Sequence, residues 1–286
     1  MKQSLLAKGV LATLAYAFIM SVTSLVAKLV QEEVAVSVLV FWQSVICVLL
    51  LLPQQKGYWK RHPINIWKTH FFRSISGFLG FYFFYLAINH IPLVEASMLR
   101  ACAPLCVPIV VLLIHKIRVP SSRWLPLLLG FIGVALIIKP TPNQFDPWQL
   151  VGFLSAVGLA LSMVTTRMLS KNVRPKETMT IYFLISACLS LLLSLYDGVS
   201  LTLPLHLIPH VMIVGLTLYF AMYLYTLAYG FAPASIVSPV SYIGVVFSGL
   251  WGMLIWGHVP DLFAISGMLL IFSSVLLTTY LSSRQV

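Results

Sequence analysis

The sequence predicts an all-α integral membrane protein, and three observations carry that prediction. Only 9% of the 286 residues are charged, whereas a soluble domain carries roughly 25%. The few charges are clustered, which leaves long uncharged stretches between them. These stretches do not show the polar face, repeated every 3.6 residues or so, that a helix on a soluble core would require. We therefore expect lipid, rather than water, around most of the chain.

Ten apolar segments are predicted to cross the hydrocarbon core, which is about 30 Å thick, as helices. They cover residues 5–30, 34–52, 71–89, 93–114, 124–138, 150–169, 178–196, 209–229, 235–255 and 262–280. The fifth segment is the shortest, and its apolar stretch continues towards Pro140. The connections between segments are short, so any ligand site is expected within the helix bundle.

The basic residues predict that both termini lie in the cytoplasm of a cell with a bacterial-type inner membrane. With the N-terminus inside, fifteen of the eighteen Lys and Arg residues fall in inside segments, as the positive-inside rule requires. These are Lys2, Lys8, Lys56, Lys60, Arg61, Lys68, Arg73, Lys116, Arg118, Arg123, Arg167, Lys171, Arg174, Lys176 and Arg284. We therefore attribute the net charge of +11 to the topology of the chain and to attraction between its basic residues and membrane lipid. Nucleic acid is not a predicted partner.

The two halves of the chain resemble each other weakly. YLA followed by a proline, at residues 85–92, matches TLA followed by a proline, at 226–233, at an offset of 141 residues that also pairs Tyr82 with Tyr223. Further on, Gly130 corresponds to Gly267 at an offset of 137 residues. Each half contains five predicted spans, and an odd number gives the halves opposite orientations. The sequence therefore predicts two inverted five-helix repeats, 1–142 and 143–286, the organisation that alternating-access transporters use.

The fourth predicted span contains two ions, Glu95 and Arg100. An ion near the middle of a membrane costs at least about 2.5–3.5 kcal/mol, so it needs a partner or water. Arg100 lies seven residues into the span, about 10 Å deep, whereas Glu95 lies close to the interface. We predict that Arg100 binds the anionic group of a substrate in a central cavity. Glu95 is a second candidate for substrate contact. It is also the one obvious proton carrier within a span, although a transporter that works by exchange or facilitated diffusion would need no proton carrier.

Tyrosines and prolines in neighbouring spans are predicted to complete this cavity. Buried tyrosines require hydroxyl partners, which makes them better candidates for polar contact than phenylalanines. The candidates are Tyr82, Tyr219, Tyr223 and Tyr242. Prolines in the fourth and ninth spans are interpreted either as hinges around the site or as ordinary kinks of membrane helices. They are Pro104, Pro108 and Pro239.

Two further groups have competing interpretations. Lys28 lies near the outer end of the first span and is interpreted as snorkelling to the interface, with substrate binding as the alternative. Cys102 and Cys106 share a helix face but lack further soft ligands nearby, so no metal site is predicted. No nucleotide-binding motif of the GxxxxGK[ST] type occurs, and no cofactor is predicted.

Four stretches carry a family resemblance: LAINHIPLVEASMLRACAPL at 86–105, RWLPLLLGFIGVALIIKP at 123–140, LSMVTTRMLSKNVRPKETMTIYF at 161–183 and LAYGFAPASIVSPVSYIGVVFSGLWG at 227–252. They resemble the EamA-type carriers of the drug/metabolite transporter superfamily, and the first half is similar to the S-adenosylmethionine uptake group. The resemblance implies ten helices and transport of small metabolites. The chain departs from the family in lacking an acidic residue after the fourth and ninth spans, and it has Gln43 where a basic residue is common.

The predicted function is secondary transport of a small polar or amphiphilic metabolite, such as an amino acid or S-adenosylmethionine, by alternating access across the inner membrane. The small-molecule cargo and membrane lipid are the expected partners, and the protein is expected to be a monomer or homodimer without enzymatic activity. The alternative is a membrane-embedded enzyme acting on a lipid or lipid-linked substrate. A channel or a scaffold is a third possibility, but uniformly apolar spans do not favour a continuous pore.

Overall fold

The computed structural model describes residues 2–55, 62–116, 124–138, 146–170, 173–231, 237 and 240–283, and the regular structure in these ranges is helical, without a strand. The predicted all-α class is confirmed for this part of the chain. The α-helices are α1 (Lys2–Val30), α2 (Val36–Leu51), α3 (Ile64–His90), α4 (Leu93–Arg100), α5 (Ala103–His115), α6 (Trp124–Ile138), α7 (Pro147–Leu169), α8 (Pro175–Tyr196), α9 (Ile208–Phe231), α10 (Ile243–Trp256) and α11 (Leu262–Ser283).

Seven stretches of this part of the chain are long and apolar enough to cross a membrane. They are Ala7–Val30, Val36–Gln54, Ile64–His90, Leu93–Ile114, Pro147–Leu169, Pro175–Tyr196 and Leu205–Ala228. Three other predicted spans contain shorter apolar helices, Leu125–Ile138, Ile243–Trp256 and Leu262–Leu277. The length criterion therefore supports seven of the ten predicted spans. Large apolar side chains such as Leu113 and Leu254 are 73% and 70% exposed on the outside, where lipid would cover them.

The fourth span is interrupted at its first proline. Helix α4 ends at Arg100, and α5 begins at Ala103 with Pro104 in its first turn. Proline lacks the N–H that would bond the carbonyl one turn earlier, so the helical hydrogen-bond pattern breaks there. Pro108 lies within α5 without ending it. Pro239 lies outside the described residues.

The helices of the two halves contact each other in matched pairs. Helix α3 packs along α7, and α1 packs along α9, so the third helix of each half lies on the first helix of the other. Three further contacts join equivalent helices directly: α2 with α8, α4 with α10, and α6 with α11. Two similar halves related by a pseudo-two-fold axis would produce this pattern.

Small residues allow the closest of these contacts. A Cβ atom on Gly80 would lie 2.9 Å from the backbone nitrogen of Leu159, and one on Gly158 would lie 2.7 Å from the nitrogen of Gly80. Helices α6 and α11 cross in the same way, because a Cβ on Gly133 would lie 2.6 Å from the carbonyl oxygen of Gly267. Glycine thus lets the helices approach closely at both crossings, as is common between membrane helices.

Candidate transport site

Arg100, the last residue of α4, is directed towards α3. Its Nη1 donates a hydrogen bond to the carbonyl oxygen of Gly80 at 2.7 Å. Its guanidinium carbon lies 4.4 Å from the ring centre of Phe81 and 4.8 Å from that of Phe84, and both rings are buried. Contacts between a cation and aromatic faces offset part of the cost of removing the ion from water.

Tyrosines surround the Arg100 guanidinium from three helices. Tyr16 of α1, Tyr85 of α3 and Tyr182 of α8 all lie within electrostatic range of it. The hydroxyl of Tyr85 is buried and donates a hydrogen bond to Oε1 of Gln43, at 2.9 Å, which ties α3 to α2. Helices α1, α2, α3, α4 and α8 therefore contribute to one polar and aromatic cluster inside the bundle.

A second arginine, Arg73, joins this cluster from within α3. Its Nε donates a hydrogen bond to the Thr166 hydroxyl of α7 at 3.2 Å, and its guanidinium carbon lies 4.3 Å from the ring centre of Tyr182. Its Nη1 is buried and has no hydrogen-bond partner. An unsatisfied buried donor costs roughly 1–3 kcal/mol, so this nitrogen is a strong potential donor to a ligand.

The two guanidinium groups lie along neighbouring turns of α3. A Cβ atom on Gly77 would lie 3.4 Å from Nη1 of Arg73 and 3.0 Å from Cε2 of Tyr182. Gly80, which accepts the hydrogen bond of Arg100, is one turn further on, a rise of about 4.5 Å for three residues. Gly77 thus leaves room beside α3 for the Arg73 guanidinium and the Tyr182 ring, whereas the space at Gly80 is filled by the backbone of α7.

Neither arginine has a carboxylate within salt-bridge distance in the described part of the chain. The ion pairs found there join histidine to glutamate, His62 to Glu177 and His206 to Glu33. A buried cation is costly unless a counter-charge accompanies it. In this part of the chain the two guanidinium groups have carbonyl, hydroxyl and aromatic partners, so the cluster favours an anion.

Three of the predicted tyrosines do not meet in this cluster. Tyr82 is half-buried and stacks on Phe78, with 5.5 Å between ring centres. Tyr219 accepts a hydrogen bond from Gln54, at 2.6 Å, near the end of α2. Tyr223 is 46% exposed on the outer surface of α9. The prediction that they line one cavity is therefore not supported, because a tyrosine in a membrane helix suits the outer surface and the interface as well as the interior.

Tyr242 has a structural contact at the break in the fourth span. Its hydroxyl donates a hydrogen bond to the carbonyl oxygen of Ala101 at 2.9 Å, and its ring packs on Phe272 with 5.7 Å between ring centres. Ala101 lies between α4 and α5, where Pro104 interrupts the helix. The two bonded residues are 141 positions apart, the offset that relates the repeats, as would be expected of a contact close to a pseudo-two-fold axis.

Glu95 and Lys28 are both engaged within the protein. Oε2 of Glu95 accepts a hydrogen bond from Gln149 of α7 at 3.3 Å. Nζ of Lys28 donates to the carbonyl oxygen of Ile91, at 2.8 Å, and lies 5.3 Å from the ring centre of Trp256. Only 9% of Lys28 is exposed. Lys28 therefore does not snorkel into solvent, because a carbonyl and an indole inside the bundle hold its ammonium group.

Sequence reasoning missed Arg73 and its partners. Arg73 is three residues inside the third predicted span, and it was counted among the inside charges that set topology. A signal was available, because Gly77 and Gly80 follow it at one-turn spacing and open one face of the helix. Tyr182 and Thr166 had no comparable signal, since they join the cluster only through the packing of α7 and α8 on α3.

Several transporters are similar to this chain along most of their length. The pseudopaline exporter CntI of Pseudomonas aeruginosa is 31% identical over 271 residues, which cover 93% of this chain and 94% of that protein. The riboflavin transporter of Rhizobium johnstonii is 28% identical over 246 residues, covering 82% and 78%. The S-adenosylmethionine uptake transporter of Rickettsia bellii is 22% identical over 253 residues, covering 86% and 84%, and is consistent with the resemblance noted in the sequence.

Structural comparison agrees with the fold, and a family profile decides the assignment. A crystal structure of a protein with 20% sequence identity superposes with a TM-score of 0.62 and covers 99% of this chain and 100% of that one. The profile of the EamA-like transporter family matches residues 7–139 and again 146–280. This chain is therefore an integral membrane protein that belongs to the EamA-like transporter family.

Proposed function

We propose that the protein is a secondary transporter that moves a small metabolite with a carboxylate or similar anionic group across a bacterial inner membrane by alternating access. In this proposal ten helices form two inverted repeats, 1–142 and 143–286, and both termini are cytoplasmic. Membership of the EamA-like family and the relatives' names support a transporter rather than an enzyme. Those names include both an exporter and an uptake transporter, so they do not identify one cargo for this chain. The chemistry of the cargo is therefore inferred from the residues of the site.

One observation carries the choice of an anionic cargo: Arg73 and Arg100 lie in the same interior cluster and have no carboxylate partner among the described residues. Guanidinium groups bind carboxylates through two parallel hydrogen bonds, which give both affinity and orientation. A bound carboxylate would also satisfy the buried Nη1 of Arg73. The cargo would thus supply a negative charge beside the two arginines.

The surrounding side chains define the rest of the proposed cargo. Tyr182, whose ring lies against Arg73, and the aromatic rings near Arg100 favour an amphiphilic molecule with an apolar part. Glu95 is five residues from Arg100 on α4, a rise of about 7.5 Å. Five residues also turn an ideal helix by about 140°, so Glu95 points away from the Arg100 side, where its Oε2 accepts a hydrogen bond from Gln149. Amino acids and S-adenosylmethionine fit the proposed site through their carboxylate.

The test is uptake of labelled metabolites by purified protein in liposomes, after a thermal-shift screen has selected compounds that stabilise it. We expect carboxylate-bearing compounds to stabilise the wild type. Arg100→Ala should reduce uptake of the selected compound on the order of a hundredfold or more, because it removes a charged hydrogen-bond partner from a buried site. Arg100→Lys should recover little, since an ammonium group does not reproduce the two-pronged geometry.

Tyr223→Phe is the matched control, because Tyr223 is exposed on the outside of α9 and should transport as the wild type does. Folding of each variant is checked by its elution as a monodisperse species. If well-folded Arg100→Ala takes up a carboxylate at the wild-type rate, the proposed site is wrong. If no carboxylate stabilises the wild type, the proposed cargo class is wrong.

A further inference from the structure

Helices α2 and α8 pack against each other, and a histidine–glutamate pair lies beyond each end of their contact. Glu33 lies just before the start of α2, and its partner His206 follows the end of α8. His62 follows the end of α2, and its partner Glu177 lies in the first turn of α8. The two helices are therefore antiparallel, and the pairs lie at opposite ends of the contact, separated by the 16 residues of α2, or about 24 Å.

The two pairs are equivalent in the internal repeat. Glu33 and Glu177 are 144 residues apart, and so are His62 and His206. Each pair thus contains a glutamate from one half and a histidine from the other, with the roles of the halves exchanged. The offset is close to those of 141 and 137 that relate later parts of the halves, and it shortens steadily along the chain. A pseudo-two-fold operation therefore converts one pair into the other.

The equivalent pairs differ in their surroundings. Nε2 of His62 lies 2.7 Å from Oε1 of Glu177, and these side chains are only 7% and 5% exposed. Nε2 of His206 lies 3.2 Å from Oε2 of Glu33, and these side chains are 63% and 55% exposed. The first two residues are called the buried pair and the second two the exposed pair. The pair at one end of the α2–α8 contact is therefore buried and tight, while the pair at the other end is exposed to solvent and in longer contact.

A cavity lies at the open end. It has a volume of about 340 Å³ and is lined by the residues around Glu33 and by the segment that leads to His206: Glu33, Val34, Ala35, Val38, Val199, Ser200, Thr202, Leu203 and Pro204. The cavity therefore separates the start of α2 from the segment between α8 and α9. Its walls come from both halves of the chain.

We propose that the two histidine–glutamate pairs are alternating gates, a proposal that rests on the transport function above. In the state described here the buried pair closes the end of α2 that leads into α3, which the predicted topology places in the cytoplasm. The exposed pair is in longer contact, at 3.2 Å, and lies in solvent beside the adjoining cavity, so this is the end that would open to cargo. In the opposite state the pairs exchange roles, because the internal symmetry makes each of them the closed form of the other.

The gates act by shifting a two-state equilibrium. A pair that is buried and tightly closed in only one state stabilises that state, so removing it should move the population towards the other. Loss of the buried pair should close the end at Glu33, and loss of the exposed pair should leave that end open. Substitutions at equivalent positions should thus have opposite effects, which a merely structural role of the two pairs would not produce.

The experiment measures access to the cavity directly, without substrate. Ala35, which is exposed and lines the cavity, is replaced by cysteine in a Cys188→Ser background, since the other native cysteines are buried. A membrane-impermeant maleimide is added to the outside of spheroplasts, and its labelling rate is measured. We expect Glu177→Gln to lower the rate about tenfold, as loss of a hydrogen bond to a charged group would. Glu33→Gln should label at the parent rate or faster.

His62→Gln provides a second way to remove the buried pair and should lower the rate as Glu177→Gln does. Glu32→Gln is the matched control for a local change of charge and should label as the parent does. Unchanged labelling in both buried-pair variants, or slower labelling in Glu33→Gln than in Glu32→Gln, would overturn the gates. The transport proposal stands or fails separately, on uptake by the wild type and Arg100→Ala.

Discussion

The contact of α3 with α7 and that of α1 with α9 are equivalent in the repeat, yet they differ in chemistry. In the first, Arg73 donates to the Thr166 hydroxyl at 3.2 Å. In the second, Thr23 donates to the Thr217 hydroxyl at 2.9 Å. One interface therefore contains a buried cation, and the other contains two neutral hydroxyls. The halves share an architecture, but the proposed binding site is built from one side of it.

The largest effect is expected when the buried cation of the α3–α7 contact is removed. Arg73→Ala should reduce uptake of a carboxylate cargo on the order of a hundredfold, because it removes a charged donor from the site. Thr217→Val, in the α1–α9 contact, should leave uptake within a few-fold and cost about 1 kcal/mol of stability, the contribution of one neutral hydrogen bond. Uptake in liposomes and thermal unfolding of both variants decide this. Equal losses of uptake would show that the asymmetry has no functional meaning.

The second prediction concerns how closely the helices approach at the two contacts. Gly80 and Gly158 touch at the α3–α7 crossing, whereas the residues at the matching offset of 141 are Ala221 and Ala17, which are 0% and 2% exposed. Gly80→Ala should destabilise the protein by about 2–3 kcal/mol, because the added methyl meets backbone that has no room to move. Ala221→Gly should cost only about 1 kcal/mol, mostly through helix propensity. Denaturation in detergent measures both, and a smaller cost for Gly80→Ala would contradict the packing argument.

The third prediction concerns the boundary between the halves, where Tyr242 bonds the carbonyl oxygen of Ala101. Tyr242→Phe keeps the ring on Phe272 but leaves that carbonyl without its partner, so it should cost about 1–2 kcal/mol. The effect should appear as a lower melting temperature, with cargo specificity retained. Tyr82→Phe, on the third span, provides the comparison and should cost less, since Tyr82 is only half-buried. A change in which cargo is taken up would instead place Tyr242 in the site.

The smallest effect is expected at Tyr223, the repeat equivalent of Tyr82. Because 46% of Tyr223 is exposed on the outside of α9, Tyr223→Phe should change stability by less than about 0.5 kcal/mol. Uptake should equal that of the wild type over the full range of cargo concentrations. A raised Michaelis constant for uptake in this variant would show that Tyr223 contacts the cargo. It would contradict the proposal that the binding site is built from one side of the repeat.

Much of the architecture could be predicted from composition and periodicity. Scarcity of charge and long apolar runs predicted the helical class and the positions of the longest spans, because the hydrocarbon core imposes length and polarity on each helix separately. The weak repeat anticipated matched helix contacts. Proline chemistry anticipated the break before Pro104, since a missing N–H acts within one turn of the chain.

The site was only partly predictable. Arg100 was identified because an arginine deep in an apolar span is unusual wherever it faces. The tyrosines could not be sorted in the same way, since a helix exposes each side chain to lipid, to an interface or to a neighbour according to its rotation. Tyr223 and Tyr182 look alike in sequence, but one is exposed and the other stacks on Arg73. Rotation is set by packing between helices, and no local pattern records it.

The sequence by itself determined that this chain lies in a membrane as apolar helices, with a weak twofold repetition and a cation in the fourth span. These properties are local, because each helix must form its own backbone hydrogen bonds and present an apolar surface to the surrounding lipid. Tertiary structure alone decided that Arg73 joins Arg100 beside Tyr182, and that each glutamate of the repeat meets the histidine of the other half. The contacts of Arg73 with Thr166 and of each histidine with its glutamate join residues more than ninety positions apart, and only the close packing of helices brings them within hydrogen-bond distance.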